Sequence, residues 1–103
     1  MAENSWNRII RQSTVPYGPN LRKLEDTLYF YCEGCDEYHG FNTTWSVTNH
    51  ESSVTVHPSI GVYKRDGTGD FQCHTFIRDG HIQYLGDCVH DLKGQTVKMR
   101  IEE

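Results

Sequence analysis

The sequence predicts a small, mostly β fold, with room for a little helix: an antiparallel sheet carrying a Cys-x-x-Cys zinc knuckle and a C-terminal β-hairpin. Three observations point there. Every apolar run is short, and most are rich in β-branched and aromatic residues. An Asp79-Gly80 pair stands between two alternating segments, the strongest short-range hairpin signal. Four cysteines and six histidines in 103 residues gather largely in two stretches, Cys32-Glu33-Gly34-Cys35 with His39, and Cys73-His74 with Cys88-Val89-His90.

Taken in order, Trp6, Ile9 and Ile10 are spaced for a short helix, with an edge strand as the competing reading. Val15 to Asn20 contains two prolines and a glycine and reads as a loop. Residues 1–27 are therefore taken as an N-terminal extension and 28–103 as the β domain. Leu28 to Tyr31 is a strand leading into the first cysteine pair, where Gly34 suits a turn that needs a positive φ. Phe41 to Val47 is a second strand, with Trp45 inward. Val54 to Val56 is a third, stopped by Pro58, and Ile60 to Tyr63 a fourth. Lys64 to Asp70 is an exposed loop.

The hairpin fixes a register. With Asp79 and Gly80 as the turn, Arg78 pairs with His81 and Cys73 faces Gly86, with Cys88 its diagonal neighbour. Thr75, Ile77, Ile82, Tyr84 and His90 share that face; His74, Phe76, Gln83 and Leu85 take the other. Asp91 to Gly94 is a single helical turn ended by glycine, and Thr96 to Ile101 a final strand.

A chain this short buries a core of marginal stability, and a structural metal offsets that deficit. Thiolates favour zinc over magnesium or calcium. The metal ligands expected are Cys32, Cys35, Cys73 and Cys88, with His74 or His90 as alternates. Two disulfides are the competing use of four cysteines. The first residues lack the apolar core of a secretory signal, which favours a reducing cytoplasm and metal ligation. His39 is read as a surface residue, with a supporting role at the metal as its alternative; His50, His57 and His81 are read as solvated.

Net charge is −4 with neutral histidines, which argues against duplex nucleic acid, although Arg8, Arg11, Arg22 and Lys23 form a local basic cluster. No apolar run approaches the roughly 18 residues of a membrane span. The leading expectation is a protein-interaction module without catalytic residues. Zinc-dependent hydrolysis, with Asp87 or Glu33 as base, is the alternative, as is a nucleic-acid-binding zinc domain. A Cys88–His90 nucleophile pair is also conceivable.

Three strings carry a resemblance: Tyr31-Cys32-Glu33-Gly34-Cys35 through His39-Gly40-Phe41 and Trp45; His57-Pro58-Ser59-Ile60; and Cys73 to Gly80 with Leu85 to His90 and Leu92 to Val97. Together they are similar to a family of small phage- and prophage-associated Cys/His proteins. The resemblance implies a zinc-binding domain, phage-encoded and acting in the bacterial cytoplasm on a host or phage protein. It also implies a role in host–virus conflict, since similar domains stand beside bacterial ubiquitin-like conjugation genes. The family pattern has Pro where this chain has Glu33, and Thr-Phe-Ser-Pro-Ser where it has Thr55-Val56-His57-Pro58-Ser59. These departures bear on loop shape rather than on the ligands.

Overall fold

The computed structural model describes residues 4–103 and is mostly β, with two antiparallel sheets and one short helix. The helix or edge strand expected over residues 1–13 therefore lies partly outside the described residues. Helix α1 (Ser5–Ser13) begins where the Asn4 side chain accepts the Asn7 backbone N–H at 2.8 Å. The first sheet is a meander of β1 (Val15–Tyr17), β2 (Leu21–Leu24), β3 (Thr27–Cys32) and β4 (Glu37–Asn42). Its strands lie on both sides of position 27, and α1 packs against β4.

The second sheet runs β5 (Ser46–Thr48), β6 (Thr55–Tyr63), β7 (Phe71–Arg78), β8 (His81–Tyr84) and β9 (Thr96–Lys98), each strand beside the next. The segment expected as one strand from Phe41 to Val47 is divided between the two sheets. The two short strands expected around Pro58 are instead one strand, β6. A register shift between Val56 and Ile60 absorbs the proline, because an extra residue can bulge where a ladder hydrogen bond is lost. The His57–Pro58 bond within the bulge is cis.

The β7–β8 hairpin has the expected register: Arg78 pairs with His81, and Asp79 and Gly80 have φ of 48° and 73°. Two successive positive φ values are what a type I′ turn demands. Burial alternates accordingly, with Cys73, Thr75, Ile77, Ile82 and Tyr84 buried and His74, Phe76 and Gln83 more exposed.

The inner faces of both sheets form one core, in which Leu21, Leu28, Phe30 and Phe41 meet Val56, Ile60, Ile77 and Tyr84. Cys32, Cys73 and Cys88 belong to the same cluster. Because side chains alternate along β3, Tyr31 points to the opposite face and packs with Tyr38 and Ile10 of α1.

Arg22, expected in a basic surface cluster, is buried. Its guanidinium pairs with Glu102 at 3.3 Å and donates to the Thr14 hydroxyl at 2.7 Å and to two backbone carbonyls of the α1–β1 region. Tyr38 donates to the same Glu102 carboxylate at 2.9 Å. An arginine desolvated and paired in this way is removed from any phosphate-binding surface. No helix among the described residues is long and apolar enough to cross a membrane.

Candidate functional site

Two clusters of reactive side chains lie back to back on β7. Cys73 and His74 are consecutive, so alternation sends one to each face of the sheet. The inner face leads to the thiols, and the outer face to a hydroxyl and a carboxylate.

On the inner side, the β3–β4 turn delivers Cys32 and Cys35, and the Cys35 N–H donates to the Cys32 sulfur at 3.3 Å. One ligand atom each from Cys32, Cys35, His39 and Cys73 forms a group lying mutually within 4.8 Å; Cys73, Cys88 and His90 form a second. Cys73 belongs to both, with sulfurs 3.8 Å from Cys32 and 3.9 Å from Cys88. Among the described residues no disulfide is present, and all four cysteines are free. These clusters are close enough to hold a metal ion.

His39 is not on the surface: it is 5% exposed, and its Nε2 is buried without a hydrogen-bond partner. Burial alone lowers its pKa, but the nearby Cys32 and Cys35 sulfurs outweigh this and raise it to about 9. The same contacts split the thiols. Hydrogen bonds with Cys32 and Cys73 push Cys35 far below the usual thiol range, while those with Cys32 and Cys35 push Cys73 far above it.

The reason for Gly34 differs from the one expected. A positive φ occurs at Asp36 (53°), not at Gly34. A Cβ on Gly34 would stand 2.1 Å from the His90 ring, so the glycine makes room for that imidazole.

On the outer side, the β6 bulge brings Ser59 level with His74. The Ser59 Oγ lies 2.9 Å from His74 Nε2, and Asp87 Oδ2 lies 3.1 Å from His74 Nδ1. Asp87 comes from the loop after β8, which folds back onto β7: Leu85 N–H donates to the His74 carbonyl, and His74 N–H donates to the Cys88 sulfur at 3.2 Å. The Cys88 thiol in turn donates to the His74 carbonyl at 3.2 Å. The imidazole plane is set by Phe71, stacked on it at 4.4 Å, with Tyr63 stacked on Phe71 at 4.9 Å.

His74, expected as an alternate metal ligand, therefore stands outside both Cys/His groups and between Ser59 and Asp87. Cys32, Cys35 and Cys73 come together as expected; Cys88 and His90 adjoin Cys73 alone. The outer-face constellation is not among the expectations from sequence. Its signal was available in the hairpin register, which turned His74 outward, and in Ser59 within the resemblance strings. No spacing rule links Ser59, His74 and Asp87, because the bulge that aligns them is a feature of the folded ladder.

A hydroxyl, an imidazole and a carboxylate in series, each on a different strand or loop, is the arrangement recognised by geometry in Ser-His-Asp hydrolases. The chain belongs to the family described as bacterial ubiquitination-like system serine protease (BubE), whose family model matches residues 4–85. Ser59 and His74 fall inside the matched range, and Asp87 lies two residues beyond it. No curated protein and no solved structure shows significant similarity to the chain.

Proposed function

We propose that this chain is a serine peptidase of a bacterial ubiquitination-like system, with Ser59 as nucleophile, His74 as general base and Asp87 as the carboxylate that orients it. The observation that carries the reading is the continuous hydrogen-bonded line from Ser59 Oγ through both His74 nitrogens to Asp87. In the reaction, Ser59 Oγ attacks the scissile carbonyl while His74 Nε2 takes its proton. The same proton passes to the leaving amine, freeing an acyl-Ser59 enzyme. Water, deprotonated by His74, then releases the acyl group as a carboxylic acid and restores the serine. Asp87 holds Nδ1–H throughout and stabilises the imidazolium.

A ubiquitination-like system implies protein partners, and a polypeptide of that system is the substrate this reading names. The test is labelling by diisopropyl fluorophosphate, read by intact mass. Wild type should gain one adduct, and Ser59→Ala and His74→Ala should gain none. An adduct that persists in Ser59→Ala overturns the assignment.

The thiol cluster completes the proposal. Three sulfurs and an imidazole are a donor set that suits zinc, and the partnerless buried Nε2 of His39 fits a ligand position. We assign zinc to Cys32, Cys35 and Cys73 with His39 as the fourth ligand. The Cys88 sulfur, the fourth ligand of the sequence reading, is engaged with the His74 backbone. The ion's contribution is structural: it fastens the β3–β4 turn to β7 and thereby the strand that bears His74. Elemental analysis of the purified chain tests it, with one zinc per chain expected.

A further inference from the structure

Beside Ser59 lies a cleft of about 470 Å³, walled by the rings of Trp6, Tyr29, Phe41 and Trp45, with Ile60 and Gly61 along one edge. Resting on the peptidase reading, we infer that this cleft is a substrate subsite that accepts a bulky apolar side chain, aromatic or branched aliphatic, next to the scissile bond.

Three features support the inference. The cleft adjoins the strand that bears Ser59: Ile60 and Gly61, which directly follow Ser59, line it, and the Trp45 indole N–H donates to the Ser59 carbonyl at 3.2 Å. A side chain one or two residues from the bond under attack is within reach of this surface. The walls are also fixed in advance. The Trp6 indole N–H donates to the Tyr38 carbonyl at 2.8 Å, so both indoles have their polar atom satisfied by backbone. What they offer a ligand is ring area, and fixed rings cost little entropy on binding. Finally, among the described residues no charged side chain lines the cleft. A lysine or carboxylate entering it would lose water without gaining a partner, which selects against charge. The volume lies within the usual range of about 300–1,000 Å³ for ligand clefts.

The chain's two tryptophans both line this cleft, so its intrinsic fluorescence reports occupancy directly. The experiment titrates the full-length Ser59→Ala chain with acetyl-Ala-Ala-Xaa-Ala-Ala amides, where Xaa is Phe, Leu, Gly or Lys. The Phe and Leu peptides should shift tryptophan emission and half-saturate at concentrations at least about tenfold lower than the Gly and Lys peptides. Trp6→Ala, at a position 42% exposed, should fold and lose most of that preference. Equal responses to all four peptides overturn the subsite, as does an unchanged preference in Trp6→Ala. Fluorophosphonate labelling of wild type separates the two readings. A labelled serine with no peptide discrimination removes the subsite alone. Discrimination without labelling leaves an apolar peptide site and removes the peptidase.

Discussion

His74 Nε2 and Ser59 Oγ stand 2.9 Å apart although fifteen residues separate them in the chain. Antiparallel pairing of β6 and β7 is responsible, but not by simple register. Gly61 is the residue directly opposite His74, and Ile60 is opposite Thr75. Ser59 sits just beyond, where the register shifts, and the bulge re-aims its side chain toward the imidazole. The peptidase reading makes this contact a proton path. Ser59→Ala should reduce turnover of a peptide substrate at least about 10⁴-fold, and change stability by no more than about 1 kcal/mol. Steady-state kinetics beside thermal melts measure both. A variant that retains a tenth of the activity counts against Ser59.

Asp87 gives a graded version of the same test. Its side chain is 46% exposed, so water shares the carboxylate with His74. Asp87→Asn keeps the shape and removes the charge that holds Nδ1–H. The expected loss in kcat is roughly 10³–10⁴-fold, with little change in KM. A rise in KM alone, with kcat intact, would show that Asp87 binds substrate rather than orienting the base.

These two residues mark where the sequence was legible and where it was not. The hairpin register, the burial of Cys73 and the outward face of His74 followed from an Asp-Gly turn and period-two alternation, both local rules. Cys32 and Cys35 followed from their spacing. His39 was misread because a histidine after a polar turn looks solvated; β4 carries it inward to within 5.5 Å, ring to ring, of Phe30. Ser59 escaped, and Asp87 was named only as a base for zinc-dependent hydrolysis, because the place of each beside His74 depends on a departure from regularity, a bulge in one strand and a loop folded back on another. Arg22 was misread for a related reason: its partner Glu102 is eighty residues away, and no pattern near Arg22 announces burial.

That ion pair carries its own prediction. Removing one partner of a buried pair leaves the other charge desolvated and unpaired, which costs about 3–5 kcal/mol. Arg22→Ala should lower stability by that amount, because the buried Glu102 carboxylate would lose the guanidinium it pairs with. Denaturant unfolding measures it. A loss below 1 kcal/mol would mean that the C-terminal residues are not held against β2.

The thiol cluster separates its candidates by substitution. Cys32→Ser and His39→Asn should each lose bound zinc and expose the chain to aggregation, as should prolonged chelation at neutral pH. Cys88→Ala should keep one zinc per chain, because its sulfur serves the His74 backbone, and should instead lower kcat by loosening the strand under the base. If Cys88→Ala loses the metal and His39→Asn keeps it, the fourth ligand is Cys88.

Gly61 offers the last test, linking packing to the base. A Cβ at this position would stand 2.4 Å from Phe71 Cε1, and Phe71 cannot swing aside freely because Tyr63 and His74 hold its two faces. Gly61→Ala should therefore destabilise the fold by about 1–3 kcal/mol, the cost of overpacking. The displaced ring would tilt the imidazole, and small misplacements of a catalytic group cost up to about 100-fold in rate. Phe71→Ala removes the obstacle, so adding it to Gly61→Ala should restore part of the lost stability, a coupling that a double-mutant cycle detects. Additive losses in that cycle would show that Gly61 and Phe71 act independently, and that the stack on His74 does not set its aim.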